Sequence, residues 1–314
     1  MSDRVRRVAV LGGSRFIGRA IVAALLANGC RVTTVNRGKT PVRHARPVAH
    51  VAADRSDAAA YARALAGLDV DGVVDVTAYH PDDTRVARNA FRGRLKCFVH
   101  ISSLSVYRWP MPGPVAEAAP LENDARNAYG FNKAACEHLL FDEPTAGLRW
   151  TVLRLPAVFG PGDPCSREDG LYRRIVAEKA IVVPPRPYGC QNLFVADAAR
   201  AVLQLLESPQ AAGKAYNAGG LPFTLEAYVE LLAKRAGKPP RMLRADSQVL
   251  AQGGADPRKI PYYYEGDLVL DTRRIRQEIG FAPAWELEPA LEATLAAIEE
   301  TPRPAVSDAW GLPW

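Results

Sequence analysis

VRRVAVLGGSRFIGRAIVAALLANGCRVTTVNRG, residues 5–38, runs as an apolar strand, a glycine turn, an amphipathic helix, a second strand and then a basic residue. Val8, Val10 and Leu11 make the first apolar run, and Ile17, Ile21, Val22, Leu25 and Leu26 then recur at helical spacing. Between them, Gly12-Gly13-Ser14-Arg15-Phe16-Ile17-Gly18 lets the backbone come close to a pyrophosphate, whose charge is favoured by the unpaired N–H groups and positive end of the following helix. The order is therefore a nucleotide-binding one. The turn departs from the usual fingerprint: a G-x-G-x-x-G reading from Gly12 needs glycine at Ser14, and a G-x-x-G-x-x-G reading needs it at Arg15.

Outward from this stretch, apolar strand-like runs recur at Arg31–Val35, Ala49–Ala52, Gly72–Val76, Cys97–Ile101 and Trp150–Leu153, separated by helix-like segments such as Asp57–Ala66 and Asn127–Phe141. This alternation predicts an α/β fold with a doubly wound parallel sheet. After Arg154 the texture changes: prolines crowd around one helical stretch at Gly170–Lys179, as at the start of a smaller lobe. Asn192–Val195, Asp197–Glu207 and Ala215–Asn217 then read as a return to the sheet, followed by helices at Leu225–Ala236, Thr272–Ile279 and Pro289–Glu299. The expected division is residues 1–155 plus about 191–217 for the dinucleotide-binding domain and about 156–190 plus 218–300 for a discontinuous substrate lobe. Residues 301–314 form a proline-rich tail.

The 40 basic residues are nearly balanced by 34 acidic ones, and they are dispersed rather than clustered in a stripe. Anionic small molecules and solvated faces explain that balance better than a nucleic-acid surface. No apolar run reaches the length of a membrane span, and the opening MSDRVRR leads into a strand without a signal-like apolar region, so a cytoplasmic protein is expected. The five cysteines include no C-x-x-C pair, and no His spacing with Asp or Glu suggests a metal.

Tyr129 and Lys133 stand four apart, one helical turn, so that the ammonium can favour the phenolate and also reach a cofactor ribose. Upstream, HISSLSVY at 100–107 ends an apolar run where parallel sheets place their ligands, and a serine hydroxyl there can hold a reacting oxygen. With GGSRFIG, Asp54, VVDVTAY at 73–79, SSLSVY at 102–107, YGFNK at 129–133, LRLPAVFGPGD at 153–163, NLFVADAA at 192–199 and AYNAGG at 215–220, nearly the whole chain resembles the extended or atypical short-chain dehydrogenase/reductase superfamily, which includes the NAD-dependent epimerases and dehydratases. The resemblance implies a Rossmann-type sheet, Ser103 and Tyr129 as the catalytic pair, Lys133 as the residue that tunes the tyrosine and binds ribose, and a homodimer as one open assembly. It also implies that Gly12, Gly13, Ser14, Arg15, Phe16, Ile17 and Gly18 cradle the dinucleotide. Asn36 and Arg37 would meet its ribose, Asp54 and Arg55 would flank adenine, and Ala78, Tyr79, Pro156 and Val158 would line its remaining length.

Three departures narrow the substrate. Leu104-Ser105 stands where dehydrating members carry carboxylates, which disfavours elimination, and Ser105 resembles the hydroxyl residue of simple epimerases. Cys190 and Tyr264 stand where many sugar-nucleotide members carry arginines, with Arg173, Arg174, Arg186, Arg258 and Lys259 as candidate replacements. Tyr264 belongs to a run, Tyr262-Tyr263-Tyr264, that reads either as a pocket wall or as a packed loop. His80 either faces the substrate or is a loop histidine satisfied by backbone. The substrate-side candidates are thus Ser103, Ser105, His80, Arg186 and Tyr264.

The second strand ends in Asn36-Arg37 rather than in the carboxylate that usually bonds an NAD ribose, and guanidinium binds phosphate well. Arg15 and Arg37 together favour NADP over NAD. The expected activity is hydride transfer at a secondary alcohol or ketone of a sugar-like substrate, foremost epimerisation, with net reduction as the alternative. GGSRFIG and NRG also resemble a chloroplast stem-loop RNA-binding branch of the superfamily, but retention of Ser103, Tyr129 and Lys133 favours the enzyme.

Overall fold

The computed structural model describes residues 5–300 apart from 43, 112 and 143–146. The expected tail, 301–314, lies outside the described residues. Strands β1 (Arg7–Leu11), β2 (Arg31–Asn36), β3 (Ala49–Ala52), β4 (Gly72–Asp75), β5 (Cys97–Ser103), β6 (Trp150–Leu155) and, later in the chain, β10 (Lys214–Asn217) form one sheet in the order β10-β6-β5-β4-β1-β2-β3. Every pairing in it is parallel. Successive side chains of a strand point to opposite faces, so Val8 and Val10 enter one core while Ala9 and Leu11 enter the other. Strands covered on both faces need continuous apolar runs, which is why β1 and β4 carry them without polar alternation.

On one face α1 (Phe16–Ala27) packs against α6 (Val195–Glu207), and on the other α2 (Ala58–Ala66), α3 (Pro81–Ala90) and α4 (Ala128–Phe141) pack in succession. Helix α3 escapes hydrophobic periodicity because its sequence, PDDTRVARNA, is strongly polar. Its terminal signals were legible: Pro81 at the first position and a capping box in which the His80 side chain and Asp83 exchange bonds with backbone N–H groups.

The remaining helices are α5 (Arg167–Val176), α7 (Leu225–Ala236), α8 (Ser247–Gln252), α9 (Arg273–Ile279) and α10 (Leu287–Glu299). Two short parallel pairs stand outside the main sheet: β7 (Ala157–Phe159) with β9 (Asn192–Phe194), and β8 (Ile181–Val183) with β11 (Met242–Arg244). Asn192–Val195 therefore does not rejoin the central sheet, contrary to the sequence expectation. Its three strand residues pair with β7 instead. The sheet order reverses beside β1, so the crevice between the carboxyl ends of β1 and β4 is where a ligand belongs.

Candidate active site

A cleft of about 1360 Å³ opens along that crevice. Gly12 leaves β1 at φ +100°, its N–H donating to the Val35 carbonyl at 3.0 Å. A Cβ on Gly18 would lie 2.1 Å from the Gly12 carbonyl oxygen, so only glycine lets α1 start this close to the turn. Arg15 occupies the position before the helix without capping it, and the first turn has no acidic residue. The leading N–H groups of α1 are thus without a side-chain cap and available to an anion, which fits a pyrophosphate. Gly12, Ser14, Arg15, Phe16, Ile17 and Gly18 line the cleft. Gly13 does not: it is buried, and a Cβ there would meet Thr34 at 2.7 Å, so its role is packing.

Ser103 ends β5, and its hydroxyl accepts from the Ser105 N–H at 3.1 Å while donating to the Ser105 hydroxyl at 3.3 Å across a single 3-10 turn. Asn127 caps α4 by accepting from the Gly130 N–H. A Cβ on Gly130 would lie 2.2 Å from the Ser105 carbonyl, so the glycine inside the Y-x-x-x-K spacing brings the helix onto the serine turn. Tyr129 thereby stands near Ser103, which favours its phenolate, while desolvation of the phenol in the cleft raises its pKa overall.

Lys133 is buried, and its ammonium donates to the Ala78 carbonyl at 3.0 Å and the Ile101 carbonyl at 2.5 Å. In the protein alone Ser103 and Arg167 are among the groups that favour the Tyr129 phenolate, and desolvation of the phenol outweighs them. Ala78 enters the site through that carbonyl, being itself fully buried and outside the cleft lining. Tyr79 flanks Tyr129 with 6.5 Å between ring centres.

At the far end, Asn36, Arg37, Lys39 and Asp54 line the cleft. The Asn36 carbonyl oxygen is already engaged, accepting from the Gly38 N–H at 2.8 Å and bonded to His50 at 3.1 Å. Asp54 accepts from the Ser56 N–H, and the charges of Arg37 and Lys39 help to hold its carboxyl low. Arg55 reaches the cleft, yet its guanidinium is committed to a buried ion pair with Asp75 and lies 5.0 Å over the Tyr61 ring.

The substrate-side candidates separate. Ser103, Ser105 and Tyr264 line the cleft with Tyr129, as do the cofactor-side candidates Pro156 and Val158. His80 and Arg186 are not among the lining residues: His80 caps α3, and Arg186 is drawn over the Tyr188 ring at 4.8 Å. The tyrosine run divides, since Tyr262 donates to buried Glu168 at 2.6 Å and Tyr263 to the Ala245 carbonyl at 2.7 Å, leaving Tyr264 to the cleft. Of the replacement cations, Arg174 is buried on the Ala180 carbonyl and Arg173 pairs with Asp169.

Lys39, Trp109, Asp163 and Arg167 also line the cleft and were missed in the sequence. Lys39 was readable from the run Arg37-Gly38-Lys39, and Asp163 and Arg167 from their four-residue spacing before and into α5; no spacing connects Trp109 to them.

Behind the serine turn lies a buried polar lock. Ser102 donates to Glu137 at 2.5 Å, and Arg154 grips the same carboxylate with Nε and Nη2 at 3.1 and 2.5 Å. Arg154 also donates to the Tyr107 hydroxyl at 2.8 Å, which donates to Asn217 at 2.7 Å. These bonds tie β5, β6, β10 and the serine turn to α4, the helix that carries Tyr129 and Lys133.

Fold and site together define a nicotinamide-dinucleotide type of Rossmann protein with a serine, tyrosine and lysine at the crevice. The chain belongs to the NAD dependent epimerase/dehydratase family, which it matches over residues 8–219. It is 25% identical over 249 residues to the chloroplast stem-loop binding protein of 41 kDa b of Arabidopsis thaliana, covering 74% of this chain. It is 32% identical over 216 residues to the 2'-dehydrokanamycin reductase of Streptomyces kanamyceticus, covering 66% of this chain. These matches span 64% and 60% of the two relatives' own lengths. Among solved structures, a Thermus thermophilus UDP-glucose 4-epimerase in complex with NAD superposes with a TM-score of 0.73 at 23% identity, over 93% of this chain and 99% of that one. Among the described residues no helix is long and apolar enough to cross a membrane.

Proposed function

We propose that this protein is an NADP-dependent oxidoreductase that reduces a ketone to a secondary alcohol, with Tyr129 as proton donor and Ser103 as the group that holds the reacting oxygen. The observation that carries the reading is Ser103, Ser105, Tyr129 and Lys133 gathered at one end of a cleft whose other end presents Arg37 and Lys39 in place of a ribose-binding carboxylate. A nicotinamide dinucleotide, when bound, supplies the hydride to the carbonyl carbon. Tyr129 delivers the proton to the carbonyl oxygen, and Ser103 fixes that oxygen beside the phenol. Lys133, anchored by two backbone carbonyls, keeps a third N–H for the ribose.

The reductase named among the relatives supports net reduction. NADP preference is supported by Asn36: its carbonyl oxygen is occupied, so what it offers a ribose substituent is its NH₂ donor, which suits a phosphate. Epimerisation is the second reading, favoured by the hydroxyl pair Ser103 and Ser105, with Leu104 rather than a carboxylate between them in the sequence. Excess NADPH with a panel of cyclic and acyclic ketones separates the two. Stoichiometric NADPH consumption establishes reduction, whereas inversion at carbon without net consumption, with nicotinamide retained on the purified protein, establishes epimerisation.

Cofactor choice gives a sharper test. Arg37→Ala combined with Lys39→Ala weakens NADPH binding by about tenfold or more, through loss of charge-assisted phosphate contacts, and leaves NADH binding nearly as it was. Arg15→Ala tests whether the turn shares that role: its charge reaches Tyr79, well along the cleft. Selective loss of NADPH places Arg15 at the 2'-phosphate, and equal losses place it at the pyrophosphate.

A further inference from the structure

A second cleft of about 1040 Å³ adjoins the substrate end of the first, and the two share Trp109, Cys165, Arg167, Arg258 and Tyr264. Its charged lining is Arg167, Arg258, Lys259 and Glu265. Glu265 is engaged internally, accepting from the Ser247 N–H at 2.7 Å, the Ser247 hydroxyl at 2.6 Å and the Tyr263 hydroxyl at 2.9 Å. Arg258 pairs with Asp256 at 2.9 Å, and its side chain is 90% exposed, so it belongs to the solvent rim.

Arg167 is differently placed. It opens α5 at the junction of the two clefts with its side chain 30% exposed, and its ion pair with the buried Asp163 carboxylate, at 3.6 Å, is too long to be a hydrogen bond and leaves guanidinium donors for a ligand. Arg167 and Tyr129 line the same cleft, and the guanidinium's charge favours the Tyr129 phenolate. A partly desolvated guanidinium with hydrogen-bonding capacity to spare recognises carboxylate or phosphate oxygens strongly.

We propose that the substrate is a ketone bearing one anionic group, a carboxylate or a phosphate monoester, and that Arg167 holds that group at the mouth of the second cleft while Tyr129 and Ser103 hold the carbonyl. This rests on the hydride-transfer reading and adds the class of substrate. A nucleoside diphosphate fits less well. Cys190, at one of the expected arginine positions, is buried with its thiol donating to the Tyr262 carbonyl, and Tyr264, at the other, brings no charge. Trp109, 43% exposed, and Tyr264 supply apolar surface between the two polar anchors.

The test uses equilibrium binding to the full-length protein saturated with oxidised NADP, or with NAD if that is the tighter dinucleotide, titrated calorimetrically with hexanoate, butyl phosphate and the neutral isostere hexanamide. The expected result is that at least one anion binds about tenfold or more tighter than hexanamide, and that Arg167→Gln removes this discrimination. Arg167→Lys retains part of it. The anion that binds more tightly distinguishes a carboxylate from a phosphate substrate. Equal binding of hexanamide and both anions, absence of anion binding, or discrimination that survives in Arg167→Gln overturns the proposal. These readouts need no turnover, so failure of hydride transfer to every ketone sinks the proposed function separately.

Discussion

Tyr129→Phe lowers kcat/KM for ketone reduction by about 10² to 10⁴-fold while leaving dinucleotide affinity within a few-fold, because it removes the proton donor and little else. The ring stays where α4 and Tyr79 place it, so the loss falls on kcat. Comparable kcat in the variant would assign the proton to another group and sink the role given to this phenol. The pH profile carries the same information. Burial raises the Tyr129 pKa, so in the dinucleotide-free protein the phenol keeps its proton through neutral pH. Reduction, which needs that proton, holds its rate at neutral pH and declines as the phenol ionises on the alkaline side. Oxidation of the product alcohol, which needs the phenolate, rises over the same range.

Glu137→Ala destabilises the protein by about 3 to 5 kcal/mol, the usual cost of leaving one member of a buried ion pair without its partner. Glu137 is fully buried and Arg154 is 2% exposed, so water cannot replace the lost carboxylate. Ser102, next to Ser103, loses its acceptor in the same step. Denaturant unfolding followed by circular dichroism measures the effect. Glu137→Gln, which keeps an acceptor for Ser102 and Arg154, loses less, and a loss below about 1 kcal/mol for the alanine variant places the lock among pairs that only break even.

Much of this site was legible because its elements are local. The glycine turn, the strand end at Ser103 and the Tyr129 to Lys133 spacing each lie within one strand, turn or helix, where backbone geometry maps sequence distance onto space. His80 and Arg186 fall outside the cleft lining because each has a local partner, the α3 backbone for His80, as its reading as a loop histidine satisfied by backbone allowed, and the Tyr188 ring for Arg186. Helix α3 was missed for a related reason: polar throughout, it is specified by its cap and by the packing of Thr84, Ala87 and Arg88 rather than by an apolar stripe.

By itself, the sequence determined the parallel α/β architecture, the nucleotide-binding turn and the serine, tyrosine and lysine set, because apolar periodicity and helical spacing are short-range properties of the chain. The tertiary structure alone decided that Gly130 seats Tyr129 on the serine turn, that Lys133 is tied to the Ala78 and Ile101 carbonyls, and that Asn192–Phe194 pairs outside the main sheet. It alone brought Arg167 beside residues far from it in the chain. Such contacts join loops through the packing of separate elements, and no spacing along one strand or helix encodes them.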